Sequence, residues 1–166
     1  DSLVFNIPEG ISHEDAMATL YVTDGELRSR SPQPSGLHRF NKDTLTWVVD
    51  LDRLRYHLVQ EAKTVRNEVE FSPFTYNGMT FDGDVDAQRR LSGVVSAAKS
   101  AIAAGQTFTK DFTLADNSVV QLTAEDFIGI EMAKIWQVDV AFQEYRLKGA
   151  AIEAATTLEE LEAIPV

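Results

Sequence analysis

Phe74-Thr75-Tyr76-Asn77-Gly78-Met79-Thr80-Phe81-Asp82-Gly83-Asp84-Val85-Asp86-Ala87-Gln88-Arg89-Arg90-Leu91 decides the fold class. Asn77-Gly78 is the preferred pair for the centre of a type I′ hairpin, because both central residues need positive φ. The short arms on either side, bounded by Phe74 and Phe81, supply the two strands. Asp84 then stands where an N-cap belongs, with a carboxylate able to accept from the free amides of a helix opening just after it. A hairpin feeds directly into a helix, and this stretch carries no catalytic apparatus.

The same order recurs downstream. Leu91, Val94, Val95, Ala98 and Ile102 share one side of a helix over about 85–104, which Gly105 ends. Phe108, Phe112 and Leu114 fall on one face of an alternating strand, Ala115-Asp116-Asn117-Ser118 turns the chain, and Val119-Val120-Gln121-Leu122 returns. Thr123 and Asp126 have capping-box spacing at the start of the longest helix. Its Phe127, Ile128, Met132, Ile135, Trp136, Val138, Phe142 and Tyr145 form a broad apolar surface, and burial of that surface, Trp136 included, is the expectation. Gly149 is placed to break or bend this helix before Ala150 to Ala155. Thr157-Leu158-Glu159-Glu160 caps a last turn that Pro165 ends.

Upstream, Leu3-Val4-Phe5-Asn6-Ile7 reads as a short strand stopped by Pro8-Glu9-Gly10, and Thr19 to Val22 meets Glu26 to Arg28 across Thr23-Asp24-Gly25. Ser31-Pro32-Gln33-Pro34-Ser35-Gly36 reads as a loop or linker, with a boundary near residue 35. Leu37 to Phe40 and Leu45 to Val49 form a hairpin around Asn41-Lys42-Asp43 that places Trp47 among the strands. Asp50 caps an amphipathic helix whose Leu51, Leu54, Leu58, Ala62, Val65 and Val69 step by threes and fours. That stripe is close to a heptad but covers only about two and a half repeats, so it reads either as a core-facing face or as a seam between subunits. Trp47, Leu51, Leu54, Leu58, Val65 and Val69 are therefore the candidate partner-binding residues. The expected fold is α+β, with short antiparallel hairpins packed on two or three longer helices and the 50–70 helix a candidate to project. The expected organisation is a β-rich docking segment at 1–35, a hairpin plus amphipathic helix at 36–70, and a hairpin-helix-hairpin-helix domain at 71–166.

Composition narrows the function. The chain has 166 residues, is 44% hydrophobic and carries a formal net charge of −11. Sequence-independent nucleic-acid binding needs Lys and Arg to replace condensed counterions, and an anionic membrane surface needs the same, so neither is an expected partner. Proteins are. Without cysteine there is no disulfide framework and no thiolate chemistry, so packing, and oligomerisation where it occurs, must hold the fold. No run approaches the roughly 18 to 20 apolar residues that span a bilayer, and Asp1-Ser2-Leu3-Val4-Phe5 lacks the basic start of a leader, so a soluble, untargeted chain is expected.

Motifs for chemistry fall short. Asp82-Gly83-Asp84-Val85-Asp86 resembles the opening of a calcium loop, but the positions that need glycine and a bidentate glutamate hold Ala87 and Gly93. Those carboxylates read better as turn and cap groups favoured by the helix dipole. His13, His38 and His57 fall in separate segments without metal-ligand spacing. There is no nucleophile elbow, phosphate loop or dinucleotide fingerprint. A binding protein with no catalytic residues, metal or cofactor is the expectation. Of the two tryptophans, Trp136 reads as core and Trp47 as the better interface candidate.

An ordered series carries a family resemblance: Phe74-Thr75-Tyr76-Asn77-Gly78, Phe81-Asp82-Gly83-Asp84, Ala87-Gln88-Arg89-Arg90-Leu91, Leu114-Ala115-Asp116-Asn117-Ser118, Val120-Gln121-Leu122-Thr123 and Ala154-Ala155-Thr156-Thr157-Leu158-Glu159-Glu160-Leu161. It is similar to a bacteriophage and prophage domain of the tail-fibre-assembly-like kind, over roughly residues 70 to 166. Residues 34 to 70 look like what often precedes that domain. The resemblance implies a protein that works by binding a phage tail-fibre or tail protein. It would act as an assembly chaperone in the host cytoplasm or, alternatively, as a component kept in the virion tail. It brings no catalytic residues. A polysaccharide-degrading tail enzyme is disfavoured, because such enzymes carry long repetitive β-structure and this chain's second half is strongly helical.

Overall fold

A computed structural model describes residues 6–165 of the chain. Of the strand expected over Leu3 to Ile7, the part up to Phe5 lies outside the described residues, and Asn6 and Ile7 belong to no strand. The described fold is α+β: five helices and four two-stranded antiparallel hairpins. It divides into two compact units, one of Asp1–His57 with Ala155–Ala163 and the other of Leu58–Ala154 with Ile164–Val166.

The first unit opens with α1 (His13–Thr19), where sequence reading expects no helix. Ser12 explains it: the hydroxyl accepts from the Asp15 amide at 3.0 Å, satisfying one of the donors a helix start leaves free. Next come β1 (Leu20–Thr23) and β2 (Glu26–Ser29), joined by Asp24-Gly25, both at positive φ as a type I′ turn demands. β3 (His38–Asn41) pairs with β4 (Thr46–Val49), placing Phe40 opposite Trp47. The Arg30 guanidinium lies 4.9 Å from the Phe40 ring centre and 5.0 Å from that of Trp47. The Trp47 indole N–H donates to the Ser31 carbonyl at 2.9 Å, tying the proline-bearing loop to the hairpin. Asp50 caps α2 (Leu51–Phe71) by accepting from the amides of Asp52 and Arg53. α5 (Leu158–Glu162) carries the expected capping box: Glu160 accepts from the Thr157 amide while Thr157 Oγ1 accepts from the Glu160 amide. The Thr156 and Thr157 donors hold the Glu160 carboxyl below its ordinary pKa.

The second unit realises the repeated order. β5 (Phe74–Tyr76) and β6 (Met79–Phe81) close around Asn77 and Gly78 at φ 48° and 77°. Asp84 caps α3 (Val85–Ala103) by accepting from the Ala87 amide at 2.8 Å. β7 (Thr109–Thr113) and β8 (Val119–Thr123) form the second hairpin, and α4 (Ala124–Ala154) follows at once. Thr123 and Asp126 exchange hydrogen bonds as a capping box. Gly149 does not break α4, which runs unbroken to Ala154; a single helical glycine weakens a helix by only ~1 kcal/mol, too little to end 31 residues.

The core gathers Phe74, Phe81, Leu91, Val95, Ala98, Leu122, Ala124, Phe127 and Ile130. A run of ring contacts joins the two hairpins to α4: Phe74 to Phe81 at 5.6 Å, Phe81 to Phe112 at 6.0 Å, and Phe112 to Phe127 at 5.6 Å. α3 presents Leu91, Val95 and Ala98 to this core, while Ile102, placed by periodicity on the same side, is exposed. The Ala115 amide donates to the Thr80 carbonyl and links one hairpin to the other.

Two glycines of this unit test the packing in opposite directions. A Cβ at Gly83 would overlap the Ser72 carbonyl oxygen, whereas one at Gly93, midway along the exposed face of α3, meets nothing within 4 Å. Gly83→Ala is expected to destabilise by about 1–3 kcal/mol and Gly93→Ala to stabilise by about 0.5–1 kcal/mol, as read by urea unfolding.

Candidate partner-binding surface

α4 is apolar on two opposite sides, and among the described residues one is packed while the other stays exposed. Phe127, Ile130, Lys134, Ala141 and Ile152 are buried along one arc. At 100° per residue, Met132, Trp136, Val140 and Leu147 fall within a narrow arc on the far side. Trp136 is 66% exposed, Leu147 65% and Val140 53%, with Met132 and Ile135 also open to solvent. The stretch from Met132 to Leu147 runs ~22 Å along the helix axis. Exposed apolar residues that share one helix face make this strip the candidate interaction surface, which single scattered hydrophobes would not.

Trp136 therefore does not lie in the core as its neighbours led sequence reading to expect. A helix apolar on two sides offers two faces, and Phe127, Ile130 and Ile152 take the inner one. Trp47 is half-buried in β4, edge-on to Phe40 at 5.4 Å and hydrogen-bonded through its indole nitrogen. On α2, Leu54 and Leu58 are buried while Leu51, Val65 and Val69 are half-buried. From Leu58 onward this helix is tied to α4: the Arg66 guanidinium sits 4.6 Å from the Phe142 ring centre and 5.0 Å from that of Tyr145.

Lys134 is the residue that sequence reading missed. It occupies the buried arc of α4, and its ammonium donates to the Glu70 carbonyl at 2.6 Å and to the Gln137 side-chain oxygen at 2.9 Å. It thus closes the carboxyl end of α2, whose last carbonyls have no partner within their own helix. Burial pushes its pKa below the usual lysine value, against the opposing pull of Glu70. The signal was present in the sequence as a lysine seven residues from both Phe127 and Ala141, on their side of the helix.

Two carboxylates at the start of α3 are engaged locally. Asp84 caps α3, and Asp86 lies 3.4 Å from Arg89. Among the described residues, no group of three or more His, Asp or Glu side chains could hold a metal ion. A polar concavity of about 540 Å³ is bordered by Asp82 and Asp111 against Arg90 and Lys110, so its charges balance. No helix of the described residues is long and apolar enough to cross a membrane.

The architecture defines an α+β chain in which two hairpins pack on long helices and one helix turns a second apolar face outward. The chain belongs to the family described as Domain of unknown function (DUF4376), which matches residues 53–165, starting in the first turn of α2 and running through α5. No curated protein and no solved structure matches the chain.

Two outcomes check the division of α4 into faces. Trp136→Ala should leave stability within about 0.5 kcal/mol of the parent, whereas Phe127→Ala should lose about 3–5 kcal/mol, both by thermal and urea unfolding. Lys134→Met should destabilise by about 1–3 kcal/mol, because the Glu70 carbonyl loses its donor. Lys134 binds its proton less tightly in the folded chain than in the unfolded one. In the window between its lowered pKa and 10.5 the unfolded state holds more protons, so this group's contribution to stability rises with pH. The deficit of Lys134→Met against the parent should widen across that alkaline window.

Proposed function

We propose that the chain acts by binding protein, as an assembly chaperone for bacteriophage tail fibres. The observation that carries the reading is the outward apolar strip of α4, set in a chain of net charge −11. A trimeric fibre exposes strand edges and apolar patches until its three chains pair, and such surfaces aggregate unless covered. A strip centred on Trp136 and Leu147 offers complementary apolar area, since Trp anchors are what interfaces most often concentrate their affinity on. The acidic remainder keeps the chaperone soluble while that strip is open. The tail-fibre client itself comes from the resemblance of the ordered residue series between Phe74 and Leu161.

Co-expression of the fibre subunit with and without the chain tests this. Trimeric fibre should be recovered in the presence of the chain and largely lost to aggregate in its absence, and Trp136→Asp should behave as omission does. Equal trimer yield in all three cultures refutes the reading. Mass spectrometry of purified particles separates the two modes of binding: a chaperone is found only in the lysate, and a fixed stoichiometry in the particle identifies a resident tail component.

A further inference from the structure

The outer face of α4 also carries the charges that fit a copy of itself. Written as heptads, the exposed strip places Val140, Leu147 and Ala154 at one seam position and Trp136, Gln143 and Ala150 at the other. Asp139 and Arg146 flank the seam on one edge, with Gln137 and Glu144 on the other. Asp139 and Arg146 are exposed, and neither side chain forms an ion pair or hydrogen bond with another described residue.

We propose that this face seats α4 of a second copy of the chain, antiparallel, across a twofold axis passing beside Ala141 and Phe142. An isologous contact of this kind uses the same patch twice. Trp136 then packs on the partner subunit's Leu147, Val140 on the partner subunit's Gln143, and Asp139 faces the partner subunit's Arg146, each contact made twice. The opposite edge sets Glu144 beside the partner subunit's uncharged Gln137. A parallel pairing would instead set Asp139 against the partner subunit's Glu144 on both sides, two like-charge contacts. The charges therefore choose the antiparallel arrangement, as flanking charges do in coiled coils generally.

The seam from Met132 to Ala154 is ~33 Å long. One helix pair lies toward the low end of specific interfaces, so the dimer is reversible and concentration-dependent. Two chains of net charge −11 repel, which places the weight on the apolar seam and on the short-range pairs. The inference goes beyond the chaperone reading and stands without it: it concerns the chain alone, although the strip it covers is the one proposed for the client.

Sedimentation velocity of the purified full-length chain, over a concentration series up to about 1 mM, tests it. The expected result is a reversible monomer–dimer equilibrium that Trp136→Ala weakens on the order of 30-fold. Asp139→Arg and Arg146→Asp should each weaken it about 5-fold, and the double exchange D139R/R146D should restore it. Because the native chain has no cysteine, Gln143→Cys provides an independent check: on mild oxidation it should give a disulfide-linked dimer, whereas Ser96→Cys, on α3, should not. Thermal unfolding establishes that each variant is folded. A monomer at every concentration, a dimer indifferent to Trp136→Ala, or single charge reversals that the double exchange does not rescue would each overturn the proposal. A monomeric chain that still rescues fibre trimers leaves the chaperone reading standing, and a dimer without fibre rescue does the converse.

Discussion

The second unit depends on the line of phenylalanine rings that runs from the first hairpin, through the second, into α4. A two-stranded hairpin is marginal in water by itself, because its few backbone bonds barely offset the entropy of ordering it. β5–β6 has only three residues in each strand, and β7–β8 has five. Neither belongs to a larger sheet. What holds them is Phe74 and Phe81 from one and Phe112 from the other, meeting Phe127, which is fully buried on α4. The hydrophobic effect thus does in this unit what sheet edges do in larger folds. It also explains why the arc of α4 that carries Phe127 and Ile130 turns inward, while among the described residues its second arc stays exposed.

How much of this was legible in the sequence follows the range of the interactions. Asn77-Gly78, Asp84, Thr123 with Asp126, and Thr157 with Glu160 act within a few residues. Their hairpin and caps stand where the residues put them. α1 was not legible, since seven residues span too few turns to show a period and its cap, Ser12, resembles any loop serine. Trp136 lies outside the core for a longer-range reason. Periodicity locates apolar residues on a helix but cannot choose between two apolar faces, and what excludes Trp136 is which rings the distant hairpins bring to Phe127. Trp47, expected to lie at a surface, finds its indole partner sixteen residues away at Ser31. No local pattern predicts that bond.

Lys134 and Arg66 join α2 to α4 by different means. Lys134 is a buried cation made tolerable by carbonyl oxygens at a helix end, where the backbone dipole favours positive charge. Arg66 instead lays its weakly hydrated plane against Phe142 and Tyr145, a contact suited to guanidinium and poorly matched by a compact ammonium. Both fix the helix pair from the inner side of α4 and leave the outer side rigid, presented by a helix with little freedom to turn. A rigid apolar strip loses less entropy on binding than a flexible one would.

In the recognition proposed for that strip, charge and apolar surface divide the work. At physiological ionic strength the screening length is about 8 Å, so the net negative charge of the chain is felt weakly across an interface while groups in contact are felt fully. The apolar seam supplies attraction without direction. Asp139, Glu144 and Arg146 supply direction without much attraction, since exposed pairs contribute little individually. A partner lying on α4 as proposed would therefore be sorted by which charges it sets beside these three. An acidic edge opposite Asp139 is rejected and a basic one accepted, and an antiparallel copy of α4 satisfies this requirement with the residues the chain already carries.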